Sequence, residues 1–162
     1  MDKRNLQYHE IFMEEAIKLA ASNLTSGNGG PFGAVVVKDG KIIGRGVNLV
    51  TSSNDPTAHA EVVAIRDACK NLKSFQLDGC EIYTSCEPCP MCLGAIYWAR
   101  PSQLYFAASR DDAAHAGFDD SYIYKQIPLK PTDRDLKSLQ IMQSESVKVF
   151  KLWIESEQKI PY

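Results

Sequence analysis

Two short stretches concentrate residues able to bind metal and move protons: "TAHAE" at Thr57–Glu61 and "SCEPCPMC" at Ser85–Cys92. Together they hold His59, the cysteines Cys86, Cys89 and Cys92, and the glutamates Glu61 and Glu87. Cys89 and Cys92 stand three apart, so in the first turn of a helix both thiols point to one side and can share one ion. A helix N-terminus favours the thiolate, the form that binds zinc. If His59 comes from a neighbouring helix, the set becomes Cys2His. Three protein ligands leave one of zinc's four tetrahedral positions for water, which is the catalytic pattern; a structural site normally fills all four. Cys86 as a fourth ligand would close the site. Against that, it lies at the end of a strand-like run, and Pro88 disfavours helical geometry at Glu87, which takes Cys86 off the helical face shared by the other two. Glu61, two residues past His59, can take the proton of a zinc-activated water and hand it on. Its plain alternative is a first-turn glutamate matched to the helix dipole.

These residues need elements to hold them. "HAEVVAIRDACKNL" has the apolar spacing of a helix with one buried face, which puts His59 and Glu61 in its first turn. "CEIYTS" reads as a strand, "PMCLGAIYWA" as a helix stopped by Pro101, and "QLYFAAS" as another strand, so the two strands are joined by a parallel crossover. Upstream, "EIFMEEAIKLAASN" is helical, and "FGAVVVKDGKIIGRGVN" forms a hairpin about Asp39-Gly40. A short helix near Tyr122–Lys125 and a C-terminal helix in "ESVKVFKLWIESEQ" complete the reading. The order describes a three-layer α/β/α domain with helices on both faces of a mixed sheet, and both motifs sit where strands give way to helices.

The bulk properties narrow the classes. The chain has 162 residues, 44% of them hydrophobic, which suits one domain over 1–162 with a single core. Eighteen Lys and Arg against twenty Asp and Glu give a net charge of −2, so no overall positive field draws the protein to nucleic acid or an anionic membrane. No apolar run approaches the roughly 18 residues of a membrane span, and the first residues lack a secretory signal, so a soluble cytoplasmic protein is expected. Five cysteines in such a protein argue against a disulfide framework; Cys69 and Cys80 are read as buried. His9 and His115 are read as partnerless surface residues.

The pair of motifs, His-x-Glu with Pro-Cys-x-x-Cys, is the signature of the zinc nucleobase deaminases. The flanking blocks narrow the resemblance. "GGPFGAVVVKDG", "SNDPTAHAEV", "YTSCEPCPMCLGAIYWARP" and "AGFDDSYIYK" resemble the short bacterial guanine deaminases of the cytidine deaminase-like superfamily, across most of Gly29–Lys125. The resemblance implies a five-stranded mixed sheet and a homodimer whose C-terminal segments, about 126–162, are exchanged between subunits. It implies one zinc per subunit on His59, Cys89 and Cys92, with Glu61 as the proton shuttle. Phe32, Asn48, Ala60 and Trp98 match positions that hold the purine, Asp119 or Asp120 matches an acid near the reacting amino group, and Tyr162 matches a tyrosine closing over the neighbouring site. The reaction implied is hydrolysis of guanine to xanthine and ammonia, in purine catabolism or salvage, by attack of zinc-activated hydroxide on the amino-bearing carbon.

Each carried-over residue also has a plain reading. Phe32 and Trp98 fit core packing, Asn48 fits a turn, Asp119 and Asp120 fit helix capping, and Tyr162 fits a free terminus. The nearest rival activity is deamination of adenosine in transfer RNA, which calls for a basic face that a charge of −2 does not supply. Cytosine deamination shares the same chemistry. A non-catalytic zinc-stabilised binding protein is the reading from outside the enzymes, and Glu61 is the residue it leaves without a purpose.

Overall fold

The computed structural model describes residues 3–161 and divides into two compact units, one ending at Asp120 and the other starting at Ser121.

In the first unit, helix α1 (Lys3–Ser26) turns Phe12, Ala16 and Ala20 inward at four-residue spacing, while Ile11 and Ile17 stay exposed. It ends at Gly27, whose φ of +70° is the usual left-handed stop. Strands β1 (Gly33–Lys38) and β2 (Lys41–Val47) form the expected hairpin. Asp39 and Gly40 both take positive φ, as a two-residue turn matched to strand twist requires. β3 (Glu81–Cys86) pairs antiparallel with β1, and β4 (Gln103–Ala108) pairs parallel with β3, in the order β2-β1-β3-β4.

Alternation along β1 sorts the core into two layers. Val35 and Val37 meet Phe12, Ala16 and Tyr83 under α1. Ala34 and Val36 meet Ala60, Ala64 and Ala68 of α3 (Ala60–Leu72), together with Ile96 and Ala99 of α4 (Pro90–Ala99). Helices therefore cover both faces of a mixed sheet, as expected. Small residues bring α3 very close to β2: a side chain at Gly44 or Gly46 would run into the backbone of Ala60 and Ala64.

Four strands form among the described residues, where five were expected. After β4 the chain turns into α5 (Arg110–His115), started by a Ser109–Asp112 capping box. The segment between Gln126 and Gln143 holds only a 3-10 turn at Pro131–Asp133, and its Pro128 and Pro131 lack the N–H that a ladder needs. β4 is left as an edge strand, with Phe106 exposed. A one-turn helix α2 (Val50–Ser53), unmarked by any periodicity, follows β2.

His9 is not a partnerless surface residue. Its Nδ1 bonds Tyr83 Oη at 2.7 Å, Tyr83 Oη donates to Glu81 Oε2 at 2.7 Å, and Tyr105 Oη reaches His9 Nε2 at 3.4 Å. Because the Tyr83 proton goes to Glu81, His9 Nδ1 is the donor in its own bond. The residues lie 74 positions apart in the chain, so no local pattern announces them. His115, though exposed, bonds the Asp111 carbonyl through Nδ1 at 2.7 Å.

The second unit holds α6 (Ser121–Gln126) and α7 (Gln143–Glu155). Asp135 ties it together, accepting from Tyr122 Oη at 3.1 Å and Gln126 Nε2 at 3.0 Å while its own N–H donates to Gln126 Oε1 at 2.9 Å. Neither helix buries a residue: Val149, Phe150, Leu152, Trp153 and Ile154 of α7 are all exposed.

Candidate metal centre and active site

The two helices that open toward each other carry the motif residues at their first turns. His59 is the N-cap of α3 with extended backbone, φ −68° and ψ 155°, and Cys89 is the N-cap of α4 with φ −64° and ψ 167°. Both positions aim a side chain past the helix end. Asp55 shapes the approach to His59: its carboxylate accepts from Thr57 N at 2.8 Å and Thr57 Oγ1 at 2.7 Å, which holds the carboxyl below its ordinary range. Pro90 at the start of α4 supplies the φ a helix needs without wasting an N–H.

His59 Nδ1 lies 3.6 Å from Cys89 Sγ and 3.4 Å from Cys92 Sγ, and the three ligand atoms sit within 4.8 Å of one another. A tetrahedral zinc with bonds of about 2.05 Å to nitrogen and 2.3 Å to sulfur sets an N–S edge of about 3.6 Å, so the cluster is spaced to take the ion. Its charge state suits the ion as well. The Cys89 thiol is pulled down to about 4, first by a hydrogen bond from Cys92 and then by His59, while the same bond pushes Cys92 upward. His59 is raised by its bond to Cys89. One thiolate thus already receives protons from two neighbours that zinc would displace.

Cys86 stays outside the cluster. It is buried at the end of β3, its Sγ donates to Ser109 O at 3.6 Å, and burial pushes its thiol up to about 11. All five cysteines are free; Cys80 is buried and Cys69 half-buried. Glu61 follows His59 by two positions in the first turn of α3 and is only 6% exposed. Burial raises its carboxyl, countered in part by His59 and a hydrogen bond with Cys92. A first-turn glutamate serving only the helix dipole would face water; this one is packed against the metal ligands.

The remaining expected residues divide. Asn48, 7% exposed, follows β2; its Oδ1 accepts from Val50 N at 3.2 Å and its N–H donates to Phe32 O at 3.2 Å. It makes the turn of the plain reading, in which its amide NH2 takes no part. Phe32 is half-buried against the core and meets Phe118 edge-on, ring centres 4.9 Å apart. Ala60 is buried as the first residue of α3, so what it can offer is its N–H. Asp120 is half-buried, and its carboxyl is raised first by burial and next by the Cys89 charge, which puts it within electrostatic reach of the cluster; Asp119 is exposed. Trp98 is 64% exposed on α4, about 240° around the helix from Cys92 at 100° per residue. Tyr162 lies outside the described residues.

Sequence reasoning passed over three residues here. Glu87 Oε2 accepts from Arg110 N at 3.1 Å and ties the cysteine loop to α5. Phe118 stood unweighed inside the "FDD" block, and Asn23, a buried amide on α1, gave no signal beyond being polar near an apolar stripe.

The geometry agrees with what the chain is similar to. Residues 6–108 match the family model described as the cytidine and deoxycytidylate deaminase zinc-binding region. The chain is 56% identical to the guanine deaminase of Bacillus subtilis (strain 168) over 95% of its own length and 99% of the relative's. The X-ray structure of guanine deaminase from Bacillus subtilis superposes with a TM-score of 0.93, over 95% of this chain and 98% of that one. A tRNA-specific adenosine deaminase of Aquifex aeolicus is 41% identical over 67% of this chain and 70% of its own.

Proposed function

We infer the function from one premise: the chain belongs to the family of the cytidine and deoxycytidylate deaminase zinc-binding region. It is a zinc-dependent hydrolase that deaminates guanine to xanthine and ammonia. The observation that carries this reading is the 56% identity to a guanine deaminase over nearly the whole of both chains, joined to a His59–Cys89–Cys92 cluster spaced for zinc. The likeness to a tRNA-specific adenosine deaminase is lower in identity and leaves 30% of that relative uncovered. A charge of −2 supports a free base as substrate over a polyphosphate chain.

When bound by His59, Cys89 and Cys92, one zinc per subunit supplies the Lewis acidity that makes a water nucleophilic at neutral pH. The steps beyond that belong to the chain. Glu61, with its carboxyl raised by burial, takes one proton of the attacking water and gives it to the ring nitrogen beside the amino-bearing carbon; it then takes the second proton from the new hydroxyl on that carbon and gives it to the departing amine as the carbonyl forms. Water and guanine become xanthine and ammonia with no other reactant. Asp120, rather than the exposed Asp119, accepts from the amino group; its nearness to the Cys89 charge supports that choice. Phe32 stacks on the purine with Phe118 behind it, Asn48 offers its amide to an acceptor on the base, and the Ala60 N–H adds a donor.

The protein acts as a homodimer with its C-terminal segment, about 126–162, exchanged between subunits. Support comes from α7, whose apolar residues are uncovered, and from the exposed Tyr97, Trp98 and Phe106 of the first unit. Trp98 and Tyr162 are given their substrate contacts on this arrangement. A cytoplasmic setting, where thiols stay reduced, suits five free cysteines.

Ammonia release measured across guanine, adenine, cytosine, cytidine and transfer RNA tests the reading. Guanine is expected to be the preferred substrate; no release from guanine overturns it.

A further inference from the structure

Asn23 is a buried polar residue, 2% exposed, and sits on α1, outside the two motifs that carry the metal ligands. Its Nδ2 donates one hydrogen to Gly30 O and the other to Asn48 O, both at 2.8 Å. The two carbonyls set the amide orientation, since only its NH2 end can donate to both; the Ser26 hydroxyl, which bonds Asn23 O at 2.9 Å, also lies 3.2 Å from Asn23 Oδ1. Gly30 belongs to the loop that delivers Phe32, and Phe32 N donates back to the same Gly30 carbonyl at 2.9 Å. One side chain therefore joins the loop entering β1 to the loop leaving β2, and these two loops carry the proposed walls of the base pocket.

Other observations make the join tight at the same point. A Cβ on Gly29 would stand 2.5 Å from both Asn48 O and Asn48 Oδ1, so the loop lies directly against the Asn48 amide. From the far side, Thr51 Oγ1 and Ser52 N of α2 donate to Asn28 O at 2.9 and 3.2 Å. Asn48 is thereby gripped through its carbonyl by Asn23, through its Oδ1 by Val50 N and through its flank by Gly29, with only its NH2 left to a ligand among these contacts.

We propose that Asn23 is a positioning residue for guanine: by bridging the Gly30 and Asn48 carbonyls it fixes where the Asn48 amide meets the base. It touches no substrate itself. Without the bridge the Asn48 carbonyl loses the Asn23 donor, the Gly30 carbonyl keeps only Phe32 N, and the loops part; a displacement of the order of 1 Å at a pocket wall costs on the order of 10²-fold in rate. This inference rests on the guanine deaminase reading.

The test is a double-mutant cycle on the zinc-loaded full chain, with guanine as substrate, using Asn23→Leu, Asn48→Ala and the pair. Asn23→Leu alone is expected to lower kcat/KM about 10- to 100-fold, with zinc still at one per chain. In the Asn48→Ala background the same change should cost less than about threefold, because the residue it acts through is gone. Tyr83→Phe, remote from the pocket, is the stability control: it lowers the melting temperature and leaves KM unchanged. An equal loss in both backgrounds, or wild-type kinetics in Asn23→Leu, overturns the proposal. Asn23→Ser, which keeps one donor, repeats the reading if Asn23→Leu folds poorly; if neither gives folded, zinc-loaded protein, Asn23 is a folding residue and the proposal falls. Absence of guanine turnover in the wild type would instead refute the function itself.

Discussion

Gly46 offers the sharpest test of how the fold positions the chemistry. It faces the first turn of α3, where a Cβ would lie 2.5 Å from Ala64 N and closer still to the Ala60 carbonyl oxygen. Ordinary contact begins at 3.4 Å, so Gly46→Ala must push the start of α3 away from β2 by more than about 0.9 Å. The neighbours are backbone atoms of a packed helix, and no side-chain rotation can absorb the shift. His59 and Glu61 flank Ala60 and would move with it, whereas Cys89 and Cys92 ride on α4 and would not. A misplacement of this size is expected to lower kcat/KM on guanine by about 10²-fold. Overpacking should also cost about 1–3 kcal/mol of stability.

The assay pairs this variant with Gly44→Ala, whose Cβ meets Ala64 O at 2.6 Å and Ala68 N at 2.7 Å, one to two turns farther from His59. Both should lose stability by similar amounts in thermal melts followed by circular dichroism. Only Gly46→Ala should lose zinc affinity and turnover to the full extent, read by metal titration and ammonia release. Turnover in Gly46→Ala within about threefold of wild type, or equal catalytic losses in the two variants, would refute the claim that the β2–α3 contact sets the metal geometry.

Glu61→Gln keeps the shape of the buried side chain and removes its proton chemistry, so turnover should fall about 10²–10⁴-fold with zinc content unchanged by elemental analysis. Cys89→Ser should lose the metal, while Cys86→Ala should retain it at some cost in stability, since Cys86 packs against Ser109 and lies outside the cluster. After zinc removal, alkylation at pH 7 followed by mass spectrometry should label Cys89 first: with its thiol pulled down to about 4 it is largely thiolate at that pH, whereas Cys86, pushed up to about 11, stays protonated and slow. Tyr83→Phe breaks the bridge between His9 and Glu81 inside the α1 layer and should cost about 1–3 kcal/mol in denaturant melts, with guanine turnover unaffected.

The metal site was legible because its information is local. Cys89 and Cys92 lie within one helical turn, Glu61 follows His59 by two, and Pro88 and Pro90 mark where strand ends and helix begins, so residue spacing pointed to a Cys2His set with a carboxylate beside it, and the resemblance implied the proton shuttle. The hairpin at Asp39-Gly40 and the parallel crossover through α4 were readable for the same reason, since each is decided by a few adjacent residues. The choice of guanine rested on resemblance, because zinc chemistry is common to several bases.

Other features depend on residues that meet only when the chain has folded. Whether a fifth strand forms is decided by what pairs with the β4 edge, and alternation within one segment carries no record of its partner. His9 looked like a surface histidine until Tyr83 and Tyr105 closed on it from 74 and 96 residues away. Asp119 and Asp120 are adjacent and chemically alike, yet backbone direction leaves one exposed and sets the other in reach of Cys89. Asn23 takes its meaning from two carbonyls, one of them 25 residues on. Periodicity encodes which face of an element is apolar; which faces and loops then meet is set by packing the whole core at once, a non-local outcome that no short window of residues contains.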